Sequence, residues 1–192
     1  YKINDTVLRA ILKNPILPGE EVIINIDWNH HIGDMVERAG YYEGQYNMAQ
    51  WYPKIAVYDD KGWHADPFHA EGEFYGEFGD FEVEFELPRK FIIGASGIVS
   101  SGDPGWEMVR VDTSADFHDW FEKFEQLYIE PGSKEKRNVK FVAKNVHDFA
   151  WVASPNFLYE HDKYKDIDVH VLYNRVNAYD WNRVVRERSL RA

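Results

Sequence analysis

Phe81-Glu82-Val83-Glu84-Phe85-Glu86-Leu87 decides the fold class. Every odd position is apolar and every even one is glutamate, the period-two pattern of a strand with one face on a core and the other in water. Working outward, Val22, Ile24, Ile26 and Trp28 alternate in the same way after the Leu17-Pro18-Gly19 turn. Val139, Phe141 and Ala143 share one face of a further strand while Lys140 and Lys144 point away, and Ile167, Val169, Val171 and Tyr173 form a fourth set. Shorter strands are expected at Phe91–Ala95, Glu107–Val111 and Phe149–Ala153, with Gly and Pro turns between most of them. The expected fold is therefore mainly β, an antiparallel β-sandwich with one internal helix and a truncated C-terminal helix.

The internal helix follows from Phe117, Trp120, Phe121, Phe124, Leu127 and Tyr128, spaced as one buried stripe. Thr113 with Asp116 suggests a capping-box-like start and Pro131-Gly132 a stop, giving about four turns. Near the C-terminus, Asn177 with Asp180 begins a second helix whose apolar side is Trp181, Val184 and Val185 and whose remainder is arginine-rich. That change of character places a boundary at residue 174: 1–174 reads as one β-domain and 175–192 as the opening of another, cut short.

With 33 acidic against 22 basic residues the net charge is −11, which repels phosphate backbones and anionic lipid, so neither nucleic acid nor a membrane surface is an expected partner. Cysteine is absent, excluding disulfides, thiolate metal sites and a cysteine nucleophile. The longest apolar run, Phe149–Ala153, is far below the roughly 20 residues of a membrane helix. The chain opens at Tyr1 without a targeting pattern, and reads as an excised piece. Aromatics make up 16% of residues, which suits a β-sandwich core or a surface that packs on something else.

Few residues offer self-contained chemistry. His64, Asp66 and His69, with Glu71 and Glu73, bring metal-ligand types into one loop, but in no established zinc spacing. His30-His31 and His147-Asp148 are adjacent pairs, which diverge on a strand. Glu82, Glu84 and Glu86 are the carboxylates available for glycoside chemistry, and their shared strand face reads instead as solvated. Serine-nucleophile elbows, phosphate loops and dinucleotide loops are absent from the sequence.

A set of motifs resembles a known family. Gln50-Trp51-Tyr52-Pro53-Lys54, Tyr58-Asp59, Gly62-Trp63, Glu73-Phe74-Tyr75-Gly76-Glu77-Phe78-Gly79-Asp80, Leu87-Pro88, Gly94-Ala95-Ser96-Gly97 and Asn145-Val146-His147-Asp148-Phe149-Ala150-Trp151 are together similar to the N-terminal β-domain of aminopeptidase N-like zinc metallopeptidases, the gluzincins, in a branch with many bacterial extracytoplasmic members. The resemblance spans about Leu17 to Tyr173. It implies a saddle-like β-sandwich, a periplasmic or secreted setting, and a thermolysin-like catalytic domain of the same polypeptide as partner. The family's His-Glu-x-x-His is missing, since the sequence has no His-Glu dipeptide, and so is Gly-x-Met-Glu-Asn. The implied zinc therefore belongs to the catalytic domain, and this chain is expected to hold no metal and to be inactive alone. In relatives, the segment matching Gln50-Trp51-Tyr52 reaches the free amine of the peptide substrate, which nominates Gln50 and Tyr52 as substrate-binding residues. The alternative reading is a stand-alone carbohydrate-binding β-sandwich with exposed aromatics as stacking platforms.

Overall fold

The computed structural model describes residues 1–34, 38–69, 71–72, 75–132 and 134–184. Its strands are β1 (Lys2–Asn4), β2 (Val7–Arg9), β3 (Ala39–Tyr42), β4 (Gln45–Met48), β5 (Val57–Asp59), β6 (Gly62–His64) and β7 (Gly79–Pro88). These are followed by β8 (Ile92–Ala95), β9 (Ile98–Gly102), β10 (Lys136–Val146), β11 (Trp151–Ser154), β12 (Phe157–Tyr164) and β13 (Ile167–Asn174). The helices are α1 (Phe117–Leu127) and α2 (Ala178–Val184). The fold is mainly β and every ladder is antiparallel. Residues 1–31 with 52–78 form one unit, and residues 32–51 with 79–192 form a second.

The second unit is built on the alternation of β7. Phe85 is buried, Phe81, Val83 and Leu87 are half-buried, and Glu82, Glu84 and Glu86 face water. Its partner β10 places Val139 opposite Phe85 and Phe141 opposite Val83, so both strands turn aromatic and β-branched side chains to one side. On the wet side Lys140 pairs with Glu82 at 2.5 Å and Lys136 with Glu86. The sheet order is β7-β10-β9, and a second sheet runs β3-β4-β11-β8. Phe85 meets Trp151 of that second sheet at 5.3 Å and stacks toward Phe149, which joins the two sheets through rings.

Arg137 lies on the same face of β10 as Val139, Phe141 and Ala143, and is almost wholly buried. Its Nε and Nη2 donate to the Arg89 carbonyl, its Nη1 to the Asp103 carbonyl, and Nη2 also reaches Met108 Sδ. The Asp103 carboxylate completes the set 2.9 Å from Nη1.

The β12–β13 hairpin closes the unit with α1, α2 and a 3₁₀ turn at Trp106–Val109, around Ile92, Val109, Leu158 and Tyr173. That turn replaces the strand expected at Glu107–Val111. The Trp106 indole bonds to the Ile93 carbonyl at 2.8 Å, and the chain is extended again at Arg110, which forms a bridge to Tyr159. The first helix is 11 residues, three turns instead of about four. Asp116, not Thr113, caps it, accepting from the His118 and Asp119 amides, and Tyr128 is already extended beneath the Arg175 guanidinium. In α2 the buried residues are Ala178 and Asn182, whereas Trp181 stays 43% exposed; Val185 lies outside the described residues.

The first unit differs from expectation in one respect. Val22, Ile24, Ile26 and Trp28 do not form a strand: residues 21–31 carry no ladder among the described residues, and these four side chains are 42 to 54% exposed. Alternation makes a segment able to form a strand, but only a second chain segment satisfies its amides and carbonyls. The unit's regular structure is two short hairpins, β1–β2 and β5–β6, and Val57 is its one buried hydrophobic side chain among the described residues.

The unequal faces of β7 and β10 set a first expectation. Phe141→Ala should cost about 3–5 kcal/mol by emptying core volume, while Glu84→Lys should cost well under about 1 kcal/mol. Urea unfolding of both variants checks this; equal losses would mean that the register is misassigned.

Candidate functional site

Three of the motif segments meet at the four-stranded sheet, while Tyr52–Lys54, Tyr58-Asp59 and Gly62-Trp63 lie in the first unit and Leu87-Pro88 ends β7. Trp151 of β11 lies opposite Met48 of β4 on one side and Ala95 of β8 on the other, so Asn145–Trp151, Gly94–Gly97 and the chain leading to Gln50 are neighbours. Trp51 ties its end of the motif down: its indole N–H donates to the Phe149 carbonyl at 3.1 Å, and its ring meets Trp151 edge-on at 6.2 Å. Gln50 is half-buried with φ +54°, a left-handed conformation that costs a residue with a Cβ about 1–2 kcal/mol. The glycines have steric reasons. A Cβ on Gly94 would lie 2.4 Å from Leu172 Cδ1, and one on Gly97, at φ +82°, 2.1 Å from the Val142 carbonyl oxygen.

Tyr52 lies across the unit boundary from Gln50. In the first unit it lines, with Pro53 and residues 24–28, an open cleft of about 420 Å³. Besides the phenol, the cleft is lined by Asp27 and Asn25, with Ile24, Ile26 and Trp28 on the same stretch of chain. The two nominated residues are therefore divided between the units, each with its own surroundings.

The remaining candidates are dispersed. His64 sits 2.8 Å from Asp59 Oδ2 with Tyr75 edge-on to its ring, and the contact to His64 holds the Asp59 carboxyl below the usual carboxylate range. Among the described residues no three His, Asp or Glu side chains converge as metal ligands, and Glu73 lies outside them. Asp148 accepts from the Phe149 amide at 2.8 Å, which fixes the chain where Trp51 lands. Of the glutamates on β7, Glu82 is held below its ordinary pKa by Lys140, as expected for a solvated ion-paired face.

Two buried charged residues escaped the sequence reading. Arg137 had a visible signal, because it lies in phase with Val139, Phe141 and Ala143. Glu160 had none: Phe157, Leu158, Tyr159 and Glu160 are buried in succession, which erases the period of two. Glu160 is 1% exposed, and its Oε1 accepts from the Tyr173 hydroxyl at 2.7 Å and the Asn182 amide at 2.9 Å. Its Oε2 has no hydrogen-bond partner among the described residues. This carboxylate fastens α2 to the hairpin and explains why Asn182, rather than Trp181, is the buried residue of the helix.

No family model, curated protein or solved structure matches the chain. Its geometry is an aromatic sheet end holding Gln50, a separate cleft lined by Tyr52, and no clustered metal ligands among the described residues.

Removing either donor from the buried carboxylate should be expensive. Asn182→Leu and Tyr173→Phe should each lower stability by about 1–3 kcal/mol, whereas Trp181→Ala should cost less than either. Thermal unfolding monitored by circular dichroism orders the three variants; Trp181→Ala as the worst would contradict this anchoring.

Proposed function

We propose that this chain is the non-catalytic N-terminal β-domain of an aminopeptidase N-like zinc metallopeptidase, forming one wall of the cleft that receives a peptide's N-terminus. The observation that carries the reading is that three pieces of the motif set, Gln50-Trp51, Gly94–Gly97 and Asn145–Trp151, adjoin at one sheet. A mainly β antiparallel architecture supports it. The chain's own residues do not fit a zinc centre: the sequence has no His-Glu-x-x-His, and the loop with His64, Asp66 and His69 gathers no ligand trio among the described residues. Metal and general base belong to the catalytic domain of the same polypeptide, and no step of peptide hydrolysis runs through this chain. Its part is to bind and orient. Gln50, strained at the sheet end, is the group offered to the substrate amine; Tyr52 lacks a carboxylate and contributes only a hydroxyl and a ring face.

The coding region and the whole polypeptide test this. The reading frame should continue into a His-Glu-x-x-His within a few hundred residues, and the intact protein should release N-terminal residues from peptides. Gln50→Ala should then raise KM about tenfold or more with kcat less affected, the size of a lost charge-assisted hydrogen bond. A frame that continues without the motif would overturn the reading.

One observation favours the carbohydrate-binding alternative. Tyr58 and Trp63 lie opposite each other on β5 and β6 with rings 5.0 Å apart and are 66% and 64% exposed, a ring surface on which a sugar could stack. Titration with neutral oligosaccharides separates the two: saturable binding lost in Trp63→Ala would favour the module.

A further inference from the structure

One face of the β12–β13 hairpin carries a stack of rings apart from the sheet motifs. Tyr159, His161 and Lys163 alternate on β12, and Asp168 and His170 answer them on β13, with His161 directly opposite His170. The two imidazoles stack with centroids 4.9 Å apart and planes 28° from parallel. Trp106, from the 3₁₀ turn, covers Tyr159 at 5.0 Å and His170 at 4.8 Å. Each imidazole has one nitrogen engaged: His170 Nδ1 is 2.8 Å from the Tyr159 hydroxyl, and His161 Nε2 is 2.8 Å from Asp168 Oδ1.

We propose that this stack is an acid-sensitive latch: neutral His170 holds the β12–β13 hairpin against the Trp106–Val109 turn, and protonation of His170 beside His161 releases it.

The surrounding charges argue for that direction. On β13, Asp168 is the anion nearest the pair, but it is shared between His161 and Lys163, whose Nζ is 3.5 Å away. On β12 the neighbours are Tyr159, His161 and Lys163. From the turn come Glu107 and Arg110, paired at 2.7 Å, with the guanidinium over the Tyr159 ring at 5.9 Å. Asp168 is therefore the carboxylate that acts on His170, and it is shared with His161 and Lys163. Burial holds the Tyr159 phenol above its ordinary pKa, so it stays protonated and donates to His170 Nδ1 in the tautomer whose proton is on Nε2. Protonated Nδ1 would be a donor itself, and the Tyr159 hydroxyl would have to reverse its role.

His170 is an exposed residue, with Trp106 and His161 over its ring; partial burial of that ring, followed by the neighbouring His161, lowers its pKa below the imidazole value, with Asp168 opposing. The sign follows. A histidine with a depressed folded pKa binds fewer protons folded than unfolded, so its contribution is present above the ordinary imidazole pKa, about 6.5, and is lost as pH falls below it. The Trp106 face attracts a cation and works the other way. Burial of the His170 ring comes first and the neighbouring His161 second, and a variant can remove the second.

Histidine-ring titration by NMR, with hydrogen exchange at pH 7.5 and 5.5, tests the latch on the whole chain. The reporters are the Val111 amide, bonded to the Tyr159 carbonyl at 2.9 Å, and the Trp106 indole N–H, bonded to the Ile93 carbonyl at 2.8 Å. Corrected for intrinsic rates, protection at both should fall as His170 titrates, while β7 and β10 amides keep theirs. His161→Gln should raise the His170 pKa and shrink that loss. Unchanged protection of both reporters across the wild-type His170 titration overturns the proposal whether or not the variant folds, and so does an equal loss in His161→Gln.

Discussion

The second unit depends on one buried guanidinium. Arg137 lies on a strand whose other inward side chains are hydrocarbon, and a charge there is tolerable only because its donors are directed at the Arg89 carbonyl, the Asp103 carbonyl and carboxylate, and Met108 Sδ. The partners come from the turn after β7, the loop after β9 and the 3₁₀ turn, so one side chain fixes three connections over the sheet. Because the Asp103 carboxylate is 60% exposed, the ion pair itself is screened by water, and the carbonyl contacts carry the stabilisation. A planar fork does this where a lysine cannot.

From that anchor the organisation follows. With β7, β10 and β9 in place, the rings of Phe85, Phe141 and Phe149 form a wall against which Trp151 and the second sheet pack, and the Trp51 indole reaches the Phe149 carbonyl. Gln50 is held by consequence, at the end of a strand whose neighbours are fixed on both sides. The hairpin, α1 and α2 gather around Ile92 and Leu158, and Glu160 acts there as Arg137 does at the other sheet, a buried polar group that gives a secondary element a single seat.

How far the sequence could be read depends on whether a pattern is local. The alternation of Phe81–Leu87 and of Val139–Ala143 is local, and both strands form with the expected faces. The stripe from Phe117 to Phe124 is local too, although its ends were decided by Asp116 and Arg175, contacts that no periodicity encodes. Val22–Trp28 has the same alternation as β7 and forms no ladder, because a strand is a relation between two segments and a pattern describes only one. At the candidate site, the sequence named Gln50 and Tyr52 from one short run, but the boundary between the units passes between them. Glu160 and the His161–His170 pair were silent for a related reason: their partners are on other strands and helices, at separations that spacing rules do not reach.

Arg137→Lys isolates the fork, since it keeps the charge and the hydrocarbon stem and removes only the planar array of donors. Equilibrium unfolding in urea should show a loss of about 2 kcal/mol or more, from buried carbonyls left without donors, together with faster exchange in β7, β10 and the Trp106–Val109 turn. A midpoint unchanged from the parent chain, with exchange in those elements also unchanged, would contradict the account and show that the sheets hold their connections without the guanidinium.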